Sequence, residues 1–359
     1  MFLELGLGAV FAAVTSLIAC RLVIAAKLVD VPDVARKAHR NPTPTSGGLG
    51  IALGFGAGLL AANVFSTPDW RAQVGVEGFA RLSIATVMAC AFLALGFLDD
   101  ARPLGPRTKF AVFVALAIGA VLSVGPVETL PLGGNVTLEL GFWLGLFGSG
   151  LFVFTLVNCV NFMDGANGLA MGSAAVGLAT LAAIGLLAGA PGVGAMALCG
   201  AGALAGFLVW NFPNGRLFAG DSGALFAGAL AALASLLAVH QAGLSPLLAP
   251  VVFFPLLADV LLTLAWRVRQ RRRILNGHAE HLYQIALRSG MSHARIALIY
   301  WAAMAACGVV AVAAARLDAS GLAWGTYAPL AALVALALVW LGISAAARKV
   351  ARVRGLGEV

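Results

Sequence analysis

The chain has 359 residues, of which 61% are hydrophobic and 11% charged. Soluble domains carry about 25% charged residues, so a soluble fold is excluded, and a mean hydropathy of +0.97 is that of a polytopic membrane protein. Net charge is +8, but the basic residues sit in short connections between apolar runs, which argues against a nucleic-acid surface and points to membrane topology and to anionic lipid or phosphate ligands.

Eleven apolar segments, each near the ~20 residues a bilayer requires, run over roughly 5–26, 47–65, 82–98, 109–125, 141–160, 169–189, 192–210, 223–240, 248–266, 295–315 and 327–347. The first has no basic region before it, carries Glu4 and is followed by basic residues, so it reads as a span and not as a cleaved signal peptide. Of the 23 Lys and Arg residues, 19 fall in connections on one side, three (Arg71, Arg81 and Arg316) on the other, and Arg21 inside the first span. The basic side is expected to be cytoplasmic, with the N-terminus outside and the C-terminus inside. The outer connection 125–141 has no Lys or Arg and reads as plain loop. Cys20, Cys90, Cys159, Cys199 and Cys307 lie far apart in apolar runs, with no metal or disulfide spacing. The expected fold class is an all-α polytopic membrane protein of about eleven transmembrane helices, forming one integral membrane domain over 1–359.

Nearly all the polar chemistry lies in five inner loops. The first, Asp33 to Gly50, combines Arg36, Lys37, His39 and Arg40 with Pro42 and Pro44, which favour an extended path. The cations there serve as topology signals or as phosphate contacts. The second opens on Asp99 and Asp100, directly after the third span. A helix carboxyl end already bears partial negative charge, so two more anions there require a cation nearby. Lys109 supplies one: it begins the fourth span, where it is no capping device, and it suits a phosphate held between it and the carboxylates. In the third loop, Asn158 and Asn161 share a face if the fifth span is still helical. Their amides can donate and accept in one plane, as a nucleobase or sugar amide needs. Asp164-Gly165 and Asn167-Gly168 are turn dipeptides.

The fourth loop, Asn211 to Gly223, contains Asp221, an N-cap candidate for the eighth span set among small residues that leave room for a ligand. The fifth carries the densest charge run, Arg267 to Arg273, then His278-Ala279-Glu280-His281-Leu282-Tyr283-Gln284. Asp259, inside the ninth span, is either functional or pairs with a loop arginine to orient that helix.

Asp99-Asp100, Asn161-x-x-Asp164-Gly165, and Asn211-x-Pro213 with Phe218-x-Gly220-Asp221-x-Gly223 occur in order with spans between them. With Pro42-x-Pro44-x-x-Gly47-Gly48, they make the chain, from about residue 30 to 290, resemble the polyprenyl-phosphate N-acetylhexosamine-1-phosphate transferases of glycosyltransferase family 4. Many members carry His-x-His-His in the last loop, where this chain has His-x-x-His-Leu-Tyr-Gln; that variant looks like the bacterial subgroup that starts O-antigen or related surface glycans. The resemblance implies transfer of a sugar-1-phosphate from a UDP-N-acetylhexosamine to polyprenyl phosphate, releasing UMP. It implies Mg²⁺, with Mn²⁺ as a substitute, on Asp221 and Asp100. It places Asp99 near the lipid phosphate as a base or an orienting charge, and Lys109, Arg271 and Arg273 on phosphate oxygens; Arg40, from the charge of the first loop itself, is a further phosphate contact. His278 and His281 would meet the diphosphate. Asn161, Asp164, Asn167 and Asn211 would contact uridine or sugar, although Asn167 stands where many relatives have Asp.

The site would lie on the cytoplasmic face of a bacterial inner membrane, with membrane lipid and both substrates as partners and no nucleic acid. A homodimer is allowed for without being required. Two rivals stand beside this reading. One is the phospho-N-acetylmuramoyl-pentapeptide transferase of cell-wall synthesis, which the departure from the triple-His loop disfavours. The other is an ion-coupled transporter, whose site would sit near the midplane among broken helices and internal repeats.

Overall fold

The computed structural model describes residues 2–26, 44–272, 279–322 and 324–355. Arg36, Lys37, His39, Arg40, Pro42, Arg273 and His278 lie outside the described residues. The chain begins with α1 (Phe2–Ala25), α2 (Gly47–Val64), α3 (Pro68–Ala101) and α4 (Pro106–Val124). A hairpin of β1 (Thr129–Gly133) and β2 (Val136–Glu139) leads to α5 (Gly141–Met163), α6 (Leu169–Leu187), α7 (Pro191–Asn211) and α8 (Gly220–Ala242). Then come α9 (Leu248–Val252), α10 (Phe254–Arg269), α11 (Leu282–Arg288), α12 (His293–Asp318) and α13 (Ala328–Val353).

Ten helices among the described residues are long and apolar enough to cross a membrane. The remaining expected segment, 248–266, is split into α9 and α10. Pro255 stands in the first turn of α10; a proline ring removes an N–H and clashes with the preceding turn, so one continuous helix breaks there. The third segment departs in the other direction. At 34 residues α3 would be about 51 Å long, more than the ~30 Å hydrocarbon core. A left-handed Gly75 (φ 67°) interrupts it, and the apolar run from residue 82 begins after that break.

The bundle is built around α8, which is buried along almost its whole length and packs against α3, α5, α7, α2 and α6. Its sequence explains this. Ala, Gly, Leu and Ser occupy every face, so no polar stripe seeks solvent and neighbouring backbones approach closely. By contrast α13 stays at the periphery, against α12 and α10. The outer connection expected to be plain loop is an antiparallel hairpin, with Thr129 paired to Glu139 and a register shift between Pro131 and Gly133. Its tip is tied down: Gly134 N–H donates to Thr326 Oγ1 at 2.6 Å, just before α13.

Candidate active site

The site forms where the ends of α3 and α5 meet the starts of α4 and α8. α5 remains helical to Met163, so Asn158 and Asn161 do share a face, but they diverge in use. Asn158 Nδ2 donates to Phe154 O of its own helix (2.8 Å), while Asn161 Nδ2 donates to Asp221 Oδ1 (2.9 Å). The other Asp221 oxygen accepts Lys109 Nζ at 2.6 Å, and Lys109 also donates to Asp99 Oδ2 at 2.5 Å. Asp99 Oδ1 accepts the Leu104 amide at 2.7 Å, which closes the tight turn between α3 and α4. One ammonium thus joins two carboxylates 122 positions apart in the chain, from the ends of two helices. Lys109 and Asp221 keep 29% and 32% of their side-chain surface exposed, so this centre is open to a ligand.

Asp100 behaves differently from its neighbour. Its carboxylate oxygens accept the backbone amides of Asp221 (2.9 Å) and Ser222 (3.0 Å). These are orphan N–H groups in the first turn of α8, so Asp100 caps a helix that is not its own. Asp221 was an N-cap candidate; the cap is supplied instead by Asp100, which frees the Asp221 side chain for Lys109 and Asn161. Metal ligation, the role the resemblance gave Asp100, would compete with these amide contacts. The juncture is tight because two glycines lie in it. A Cβ on Gly96 would fall 2.5 Å from Asp221 and Ser222 backbone atoms. Gly220 takes φ +71°, and a Cβ there would meet Thr45 O at 2.4 Å. The first loop joins the same juncture, since Gly47 and Gly48 donate to Phe218 O and Ala219 O at 3.0 Å each.

Asp164 is half-buried, and among the described residues nothing hydrogen-bonds to its carboxylate. Protein packed around it pushes its pKa well above the ordinary value, and the charges of Asp221 and Asp100 push the same way. An uncommitted carboxylate among carboxylates is a place for a cation.

The amide and fifth-loop residues require corrections. Asn211 is only 4% exposed; its Oδ1 accepts Gly168 N–H (2.6 Å) and its Nδ2 donates to Leu217 O (2.9 Å). With both ends spent on backbone, it ties the third loop to the fourth and does not face a substrate. Asn167 stitches the same loops, donating to Pro213 O at 3.0 Å. His281, expected to meet a diphosphate, is 3% exposed, between Phe162 and Tyr283 and 3.6 Å from Asp259. Arg271 is exposed at the end of α10, with no contact to the Lys109 centre. Two other arginines of that run are structural. Arg267 and Arg272 both bond to Glu280, and the guanidinium groups of Arg272 and Arg348 lie over the Trp266 ring, 4.8 and 4.5 Å from its centre.

An apolar groove of about 560 Å³ runs between α4 and α5 from Phe110, the residue that follows Lys109 in the chain, to Trp143. Its wall is made of Val114, Ile118, Phe147, Leu151 and Phe154, among others, and no charged side chain lines it.

A family model described as glycosyl transferase family 4 matches residues 82–239, the stretch that holds Asp99, Lys109, Asn161, Asp164 and Asp221. The chain is 32% identical over 295 residues to the decaprenyl-phosphate N-acetylglucosaminephosphotransferase of Mycobacterium tuberculosis, covering 74% of this chain and 70% of that one. It is 28% identical over 285 residues to a probable undecaprenyl-phosphate N-acetylglucosaminyl 1-phosphate transferase of Bacillus subtilis (78% and 75% covered). A phospho-N-acetylmuramoyl-pentapeptide-transferase of Desulforudis audaxviator is 28% identical over 286 residues (74% and 82% covered).

Proposed function

The chain belongs to glycosyl transferase family 4, and from that premise we propose that it transfers N-acetylhexosamine-1-phosphate from a UDP-sugar to polyprenyl phosphate. The products would be a polyprenyl-diphospho-sugar and UMP, formed at the cytoplasmic face of a bacterial inner membrane as the first membrane step of a surface glycan. One observation carries the reading: the Lys109 ammonium held 2.5 Å from Asp99 and 2.6 Å from Asp221. Both substrates are phosphate anions, and joining them requires positive charge between them, held in place by carboxylates.

In the reaction, an oxygen of the lipid phosphate attacks the phosphorus that bears the sugar. A new P–O–P bond forms as the bond to UMP breaks, and UMP leaves with that electron pair. A phosphate monoester has its second pKa near 6, so at neutral pH the nucleophile is already ionised. Asp99 therefore serves as an orienting charge, through Lys109, and need not remove a proton. Asn161 donates its amide N–H to Asp221 at the edge of the centre, which would leave its carbonyl for the nucleotide-sugar.

Mg²⁺, with Mn²⁺ as a substitute, is the proposed cofactor. Among the described residues no group of three or more His, Cys, Asp or Glu side chains is gathered as a ready metal cage. That fits Mg²⁺, which is usually held by one or two carboxylates and completed by substrate phosphates and water. Asp221 would hold it by giving up its contact to Lys109 or to Asn161, with the uncommitted Asp164 as second candidate. When bound it would neutralise charge on the diphosphate as the bond to UMP breaks.

The groove starting at Phe110 supports the lipid substrate, because an isoprenoid chain laid in it would bring its phosphate to Lys109. Relatives of the muramoyl-pentapeptide type keep that donor as the second reading. A transporter is disfavoured because the polar centre lies at helix ends. The test supplies the purified protein with polyprenyl phosphate and a panel of UDP-sugars. UMP and lipid-linked N-acetylhexosamine phosphate are expected. Preference for UDP-N-acetylmuramoyl-pentapeptide would favour the second reading, and no UMP from any donor would refute both.

A further inference from the structure

Asp259 stands apart from the Lys109 centre and takes no part in the reaction drawn above. It projects from α10 and is 0% exposed. A carboxylate at that depth is strongly disfavoured unless its oxygens are used. Here they are. Oδ1 accepts the Leu282 amide at 2.8 Å, and Oδ2 accepts the Tyr300 hydroxyl at 2.5 Å and, more weakly, the Tyr283 amide at 3.4 Å. Thr263 Oγ1 also donates to Oδ1 at 3.4 Å and His281 Nδ1 lies 3.6 Å from it, so its partners are two consecutive amides at the start of α11, a phenol from α12, a hydroxyl of its own helix and a neighbouring imidazole. No arginine hydrogen-bonds to it among the described residues.

The residue fixed by that cap reaches the site. Tyr283 is 2% exposed, and its hydroxyl donates to Phe162 O at 3.0 Å while accepting Gln284 Nε2 at 3.1 Å. Phe162 lies directly after Asn161 and two residues before Asp164. The ring end also presses on the turn that follows, since a Cβ on Gly165 would fall 2.3 Å from Tyr283 Oη.

We infer that Asp259 is a positioning residue: from inside the bundle it fixes the start of α11 so that Tyr283 braces the third loop and sets Asn161 and Asp164 at the nucleotide-sugar end of the site. An apolar residue at 259 would fill the space without the desolvation penalty. What it could not do is receive two adjacent amides and a phenol at one point. The same device appears at Asp100, which caps α8 from α3.

The assignment of the nucleotide-sugar end rests on the proposed function, so the test has one arm that needs no substrate. Full-length Tyr283→Phe and Asp259→Asn proteins are placed in lipid nanodiscs beside wild type. Hydrogen–deuterium exchange is followed in peptides spanning 158–168. Losing one hydrogen bond should speed exchange there about three- to tenfold. In the kinetic arm, KM for UDP-N-acetylglucosamine should rise by a similar factor while KM for polyprenyl phosphate stays within twofold. Unchanged exchange over 158–168, or faster exchange confined to 279–290, overturns the inference. So does an equal rise in both KM values with a fall in Tm, the mark of a merely structural role. If Asp259→Asn does not fold, Tyr283→Phe carries the test alone. If wild type releases no UMP, the proposed function fails, and the exchange arm still decides the bracing of the loop.

Discussion

Gly96→Ala tests whether the reacting groups depend on how closely α3 meets α8. The added Cβ would sit 2.5 Å from the carbonyl carbon and oxygen of Asp221 and from Ser222 Cα. Ordinary contact begins near 3.4 Å, so the helices must part locally by about 0.9 Å. The obstructing atoms are backbone and cannot rotate aside. Asp99, Asp100 and Lys109 ride on one side of that joint and Asp221 on the other, so the separation falls on the 2.6 Å Lys109–Asp221 contact and the 2.9 Å Asp100 cap. Overpacking of this kind costs about 1–3 kcal/mol of stability, and a 1 Å misplacement at a reacting centre costs roughly 10²-fold in rate. The assay is UMP release by purified protein, with Tm measured in the same preparation. Gly56→Ala is the control, because a Cβ there meets nothing within 4 Å. A folded Gly96→Ala enzyme within threefold of wild-type kcat would refute the view that this contact sets the site.

Asp221→Asn is expected to abolish UMP release, by about 10²-fold or more, while Tm shifts by only a few degrees; normal transfer would remove Asp221 from the metal assignment. Chelation of divalent cations should stop turnover, and Mg²⁺ should restore it; activity that persists in chelator would refute the metal requirement. The pKa of Asp164 is raised in the folded state, so its contribution to stability is full below the ordinary carboxylate value and is lost as pH rises through the raised one. Asp164→Asn should therefore raise Tm at neutral pH in metal-free buffer while lowering activity, and a lower Tm would contradict the crowding of carboxylates. Glu280 has the opposite sign: burial works against its charge, but Arg267 and Arg272 outweigh it and hold the carboxyl below its ordinary value. Its contribution is present above that ordinary value and disappears as pH falls through the lowered one, so Glu280→Gln should flatten the acid limb of a Tm–pH curve; an unchanged limb would discount the arginine clamp.

Class, span positions and the polar loops were legible because a bilayer leaves few alternatives: length and apolar composition locate helices directly. Asp99, Lys109, Asn161 and Asp221 were legible because charges and amides at span ends are expensive unless used. Less visible was how each carboxylate is spent. Asp99 and Asp100 are adjacent in sequence, yet successive helical positions point about 100° apart, so one faces Lys109 and the other faces the amides of α8. No local pattern announces that a cap will come from another helix, which is why the capping roles of Asp100 and Asp259, both conspicuous in the sequence, and the bracing role of Tyr283 emerged only from tertiary contacts. Asn211 and His281 misled for the converse reason, since a polar residue near a loop looks alike whether it faces a ligand or a buried amide. The outer hairpin did carry a signal: a Gly-Gly-Asn turn lies between alternating Thr-Leu-Pro-Leu and Val-Thr-Leu-Glu.

The groove between α4 and α5 has a consequence for rate. Trp143, Phe147 and Leu151 on its wall are 79%, 69% and 52% exposed on the lipid-facing surface, so a chain can slide in sideways without leaving hydrocarbon. Encounter is then two-dimensional. For a lipid substrate taken up there, the quantity that would saturate the enzyme is the mole fraction of polyprenyl phosphate among membrane lipids, not its amount per volume. Adding inert phospholipid at fixed enzyme and fixed substrate should slow turnover, as thinning a crowd on a floor lowers collisions whatever the height of the room.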